Sequence, residues 1–102
     1  MKLIYKDKTI QLTTTHNKGI MKYHFQKLYY AIMIYDCNRY SSIASKQRLD
    51  IVKTDENLKI LSIKREMHEN TVYENEEAKL TFLLPLNYFE DLKEEEYLQI
   101  KE

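Results

Sequence analysis

A chain of 102 residues with 43% hydrophobic and 31% charged side chains has the size and balance of one folded domain, residues 1–102, too short for two independent cores and too apolar for wholesale disorder. Its 16 basic and 16 acidic residues cancel, which argues against nucleic-acid binding. The solitary cysteine, Cys37, excludes an intramolecular disulfide and suits a reducing compartment.

The N-terminus alternates around a polar break, with Leu3 and Tyr5 before Lys6-Asp7-Lys8 and Ile10 and Leu12 after it, the pattern of a β-hairpin. The same charged triplet arrives too early for a signal-peptide core, and no apolar run approaches the roughly 20 residues of a membrane helix, so a cytoplasmic domain with no membrane contact is expected. From His16 to Tyr23 a short helix is expected, capped by Thr15 and burying Ile20, Met21 and His24 or Phe25; Gly19 within it weakens that helix by about 1 kcal/mol. Leu28 to Tyr35, almost wholly apolar and rich in aromatic and β-branched residues, reads as a central strand covered on both faces. The polar stretch from Asp36 to Gln47 reads as a loop holding one short strand, and it is where a site is expected.

Leu49 to Lys53 and Leu58 to Ile63 read as an antiparallel pair hinged at Thr54-Asp55-Glu56-Asn57. In the second strand Leu58 and Ile60 fall on one phase and Leu61 and Ile63 on the other, which requires either two covered faces or a bulge. Between Lys64 and Glu77 only Met67, Val72 and Tyr73 invite burial; Leu80, Phe82 and Leu84 then line one face of a strand that Pro85 ends. Leu86, Phe89 and Leu92 recur every three residues after Asn87, suggesting a short helix capped there, and Tyr97 to Lys101 alternates as a closing edge strand. The fold class expected is mainly β, an antiparallel β-sandwich or barrel-like domain with one or two short helices. Charge is polarised along the chain: residues 1–53 carry ten basic and three acidic groups, a net of +7, and residues 54–102 carry the opposite, −7. Interleaving of the two halves in the fold is the expectation; segregation would give a basic and an acidic face able to meet in a dimer.

Several segments in this order resemble a small prokaryotic family, domain of unknown function 192. Lys18-Gly19-Ile20-Met21 is similar to its basic-Gly-Leu-Met segment, and Ile34-Tyr35-Asp36-Cys37 to its apolar strand ending near a cysteine or small residue. Arg48-Leu49-Asp50-Ile51-Val52 with Asp55-Glu56-Asn57 resembles its Pro-hydrophobic-Asp strand and acidic turn, and Ala78 to Pro85 its strand finishing in Leu-Pro. The family's His-Thr-aromatic-aromatic-Met stretch is Ser42-Ile43-Ala44-Ser45-Lys46 here, its later Gly is Leu86, and its Gly-Asp is Glu95-Glu96. The resemblance implies a compact antiparallel β-fold and no particular activity.

Candidates for chemistry are few. Cys37 lies two residues from Arg39, which favours a thiolate, but a lone cysteine at a strand end is more often a small core residue. Asp50 alternates with Leu49 and Ile51 and so projects to the opposite sheet face, within reach of Arg48 or Lys46 as a binding group or as a surface ion pair. Cys37, Arg48 and Asp50, around the loop 36–50, are therefore the ligand-binding candidates; no catalytic set emerges. His16, His24 and His68 are not spaced to hold a metal, and no cofactor is expected. Nine tyrosines without tryptophan suit interfaces. The leading expectation is a non-enzymatic binding or structural module that self-associates, as a homodimer, or takes a protein partner. A small enzyme or ligand-binding domain at the loop is the alternative, and weak nucleic-acid binding by the basic N-terminal half the third.

Overall fold

The computed structural model describes residues 1–102. Its strands are β1 (Lys2–Tyr5), β2 (Lys8–Thr15), β3 (Ala31–Tyr35), β4 (Arg39–Ser41), β5 (Leu49–Thr54), β6 (Ile60–Met67), β7 (Val72–Glu74), β8 (Leu80–Leu84) and β9 (Gln99–Lys101), with one 3-10 helix over Asn17–Tyr23. Seven strands form a curled sheet in the order β6-β5-β8-β3-β2-β1-β9, and β4 pairs with β7 in a small second sheet. The strip before β9 bonds back to the start of β6, through the Leu98 amide to the Leu58 carbonyl and the Ile60 amide to the Glu96 carbonyl, so the sheet curls into a half-barrel. The mainly β, barrel-like class thus holds, with one exception to its antiparallel pairing. β2 and β3 run parallel, because the 3-10 helix and the loop after it carry the chain across the sheet before it returns.

Two cores follow from the period of two. Alternate residues of the central strands face into the curl, where Leu3, Leu12, Val52, Phe82 and Leu84 meet Phe89 and Leu98. The others face outward, where Ile32, Ile34, Ile51 and Leu83 are covered by Ile20, Cys37, Tyr40 and Met67. β3 lies at the centre of the sheet, as its apolar run demands, but starts at Ala31, since Leu28 to Tyr30 form the loop leading into it. β5 is buried at all six positions. Strands from the basic half and the acidic half alternate around β5 and β8 and again at β1 and β9, so in the sheet the opposite charges interleave. No helix is long and apolar enough to cross a membrane.

The register of β5 against β6 resolves the phase conflict by bulges. Lys53 pairs with Ser62 and Thr54 with Ile60, leaving Leu61 as an extra residue; Leu49 pairs with Met67 and Ile51 with Lys64, leaving Arg65 and Glu66 opposite Asp50 alone. Glu66 takes up the second bulge at a φ of 46°.

Several local expectations are corrected. Thr15 ends β2 rather than capping the helix; His16 occupies the cap position and makes no side-chain capping bond. Of the residues expected beneath that helix, Ile20 and His24 are buried while Met21 and Phe25 are exposed. Asn87 caps nothing: residues 86–91 are turns and bends, Asn87 sits at a φ of 61°, and its amide donates to Asp50. Phe89 and Leu92 are buried all the same, and Leu86 is exposed, so the spacing of three reflects a loop dipping into the core at intervals. Val72, on the two-stranded sheet, is exposed.

Candidate functional site

The three residues proposed from sequence are not brought together. Cys37 is buried in the outer core, and its thiol donates to the Arg39 carbonyl at 3.2 Å, so Arg39 meets it through backbone and not through its guanidinium. Asp50 is buried on the inner side and is no surface ion pair with Arg48 or Lys46. Its carboxylate accepts from Arg65 Nη1 at 3.0 Å, from the Glu66 amide at 2.9 Å and from the Asn87 amide at 2.8 Å. The bulge at Arg65 and Glu66 explains how consecutive residues converge on one side chain: with an extra residue, both the amide and the guanidinium turn towards Asp50. Arg65 reaches on to the carbonyls of Phe89 and Glu90, each at 2.9 Å. Asp50 and Arg65 therefore fasten the 85–91 loop to the sheet, a fixing role.

Arg48 alone of the three lines a cleft. This opening of about 780 Å³ lies between residues 24–29, residues 46–49 and the loop carrying Pro85, Leu86 and Tyr88. Its form follows from three fixed walls. The His24 ring, buried, donates from Nδ1 to the Ile43 carbonyl at 2.9 Å and shares a bond with the Tyr40 hydroxyl through Nε2, also at 2.9 Å. Burial raises the Tyr40 phenol far above its ordinary value, so it stays a neutral partner for the ring. Gln47 bridges the second wall to the first, accepting from the Leu28 amide at 3.0 Å and donating to the Gln26 carbonyl. The third wall is the loop held by Asp50.

The lining is cationic and aromatic. Lys27, Lys46 and Arg48 contribute to it and no carboxylate does, while Lys27 lies over the Tyr29 ring, 5.6 Å from its centroid. Beyond the cleft mouth Arg48 pairs with Glu66 at 3.2 Å and Glu69 at 3.4 Å; both glutamates are exposed, so these pairs hold the rim in place at little gain in stability.

Seven large hydrophobic side chains are exposed on the whole molecule, and three of them line this cleft. Phe25 (63% exposed), Tyr29 (75%) and Leu86 line the cleft. The backbone carbonyls of Ile43 and Met21, two further exposed residues, bond to His24 of the cleft wall. Sequence reasoning placed a site in the loop 36–50 and so met the cleft at residues 46–48, but missed residues 24–29, whose Phe25 it assigned to packing. A usable signal was present: an aromatic-and-lysine string, Phe25-Gln26-Lys27-Leu28-Tyr29, with one residue, Leu28, claimed by the core.

A second feature also escaped the sequence reading. Lys53, wholly buried in the middle of β5, donates to Thr81 Oγ1 at 2.7 Å and lies 5.1 Å from the centroid of the Tyr73 ring. Thr81 in turn donates to the Cys37 carbonyl at 3.0 Å. Burial lowers the amine to about 8. Neither it nor Cys37 lines the cleft, and both are buried, so this cluster belongs to the core.

No family model and no curated protein matches the chain. Its fold is similar to that of a solved crystal structure of a protein of unknown function from Novosphingobium aromaticivorans, with a TM-score of 0.72 over 97% of this chain and 82% of that one, at 6% sequence identity. At that identity the likeness is one of fold alone: the curled mainly β architecture is shared with a known structure.

Proposed function

We propose that the chain is a non-enzymatic protein-binding module whose docking surface is the cleft face. The observation that carries this reading is the gathering of three exposed large hydrophobic side chains, Phe25, Tyr29 and Leu86, in one cleft, since exposed apolar residues collected in one patch mark interfaces. Tyr29 and Phe25 supply large, stiff contact area, and Lys27, Lys46 and Arg48 supply a rim that orients an acidic segment. Cys37, Arg48 and Asp50 share no site, so the candidate set that favoured an enzyme is dispersed.

Aromatic rings beside lysines also suit single-stranded nucleic acid, but Glu66 and Glu69 beside Arg48 oppose a polyanion on the same rim. Backbone-amide NMR at low salt tests both readings, using an acetylated Glu-Leu-Phe-Glu peptide, its Lys-Leu-Phe-Lys counterpart and an oligothymidylate as probes. The acidic peptide is expected to shift the amides of residues 24–29 and 46–49, and the basic peptide to leave them unmoved. Shifts elsewhere, or none, overturn the assignment of the face. Stronger shifts with the oligothymidylate overturn the protein-binding reading in favour of nucleic acid.

A further inference from the structure

We infer that the occupant of the cleft face is a second copy of this chain, joined to the first across a two-fold axis. The inference rests on the reading of this face as a protein-docking surface and adds the identity of the partner. A closed two-fold contact requires a patch complementary to itself, because each point on one copy meets the reciprocal point on the other. This patch carries both signs side by side. Lys27 and Lys46 stand on the rim of a cleft whose lining has no acid, and directly beyond Arg48 stand the carboxylates of Glu66 and Glu69, with side chains 54% and 41% exposed.

The two halves share a border. The Ala44 amide donates to Asn70 Oδ1, so the strip leading to Lys46 runs beside the turn that carries Glu69. In the inferred dimer an axis near that border turns the basic side of each copy, with Lys46, Phe25 and Tyr29, towards the acidic side of the other, with Glu69. A partner of one sign would leave half of these charges facing like charge or no charge; a second copy matches both halves at once. The exposed Phe25 and Tyr29 rings supply attraction and the reciprocal charges fix the register.

Sedimentation velocity over a concentration series, on the wild type, Lys46→Glu, Glu69→Lys and an equimolar mixture of the two variants, tests the inference. Circular dichroism confirms that each variant is folded, as expected for two exposed side chains. The wild type is expected to reach twice the monomer mass, with a Kd about tenfold weaker in high salt than in low. Each variant alone faces two like-charge contacts and is expected to dimerise at least about tenfold more weakly. In the mixed dimer one contact is native and the other is reversed but still attractive, so the mixture is expected to regain wild-type association. A wild type that stays monomeric at every concentration, variants that dimerise like the wild type, or a mixture that gains nothing over its components would each overturn the inference. The peptide titration above separates this failure from failure of the docking surface itself: a monomer that binds the acidic peptide at residues 24–29 keeps the surface and loses only the second copy.

Discussion

Replacing Asp50 by alanine is the perturbation from which the structure yields the largest effect. The carboxylate is 1% exposed and accepts three hydrogen bonds, from Arg65, the Glu66 amide and the Asn87 amide. Truncation leaves the two amides without an acceptor, at about 1–3 kcal/mol each where they are shielded from water. The guanidinium keeps the Phe89 and Glu90 carbonyls, and the Arg65 side chain is 37% exposed, so its charge is not stranded. The sum is about 2–6 kcal/mol and brackets the about 3–5 kcal/mol for breaking a buried ion pair, which corresponds to a fall in Tm of about 15–25 °C for a domain of this size. Urea unfolding followed by circular dichroism measures it, and hydrogen exchange localises it, with the amides of Glu66 and Asn87 accelerating beyond their neighbours. Asp50→Asn retains one acceptor oxygen and sets its NH2 group against remaining donors, so an intermediate loss is expected. A loss below about 1 kcal/mol for the alanine variant would show that the carboxylate does not fasten the 85–91 loop, and would refute the reasoning.

Three further outcomes are expected. The Lys53 amine titrates near 8 in the fold and near 10.5 in the unfolded chain; between those values the unfolded chain holds a proton the folded one has released, so stability rises with pH across that window and the full penalty stands below it. Lys53→Met should abolish that rise and stabilise the protein at neutral pH by up to about 3 kcal/mol, measured by urea unfolding as a function of pH; an unchanged slope would contradict the assignment. Cys37, 1% exposed, should react with a thiol reagent at the rate of global unfolding, and rapid labelling of the native protein would show the outer core to be open there. Gln47→Ala, which removes both ties between the cleft walls, should cost about 1–2 kcal/mol and speed exchange of the Leu28 amide, whereas an unaltered amide would show that the loop holds its shape without the glutamine.

The mainly β character was legible because hydrophobic alternation is a local signal. Leu3, Tyr5, Ile10 and Leu12 fall where the hairpin places them, and the run Ala31–Tyr35 occupies the sheet centre. Phase conflicts were legible as conflicts: Leu58 to Ile63 demanded a bulge or two covered faces, and the structure has a bulge at Leu61. The second bulge was not legible, because Arg65 and Glu66 are polar on both phases and leave no apolar period to break. The burial of Asp50 and Lys53 was hidden for a related reason. A charged side chain in a strand ordinarily marks the solvent face, and only the neighbours across the sheet, β6 and β8, show that β5 has no such face. The turn at Asn87 resembled a cap since asparagine suits both a helix start and a positive φ; the choice was made by Asp50, 37 residues away. The candidate site failed in the same manner, as Cys37 and Asp50 lie close to Arg48 in sequence but point to opposite faces of one sheet.

The most direct measurement places the photo-crosslinking residue p-benzoylphenylalanine in place of Tyr29, which is 75% exposed at the cleft mouth, and irradiates a mixture of isotopically light and heavy chains. Crosslinks joining light to heavy chains, from position 29 into residues 43–48, 66–70 or 85–88 of the other copy, are the predicted result. Crosslinks that remain within one chain at every concentration, or that join copies through the Tyr97 side of the molecule, would contradict the assignment of this face.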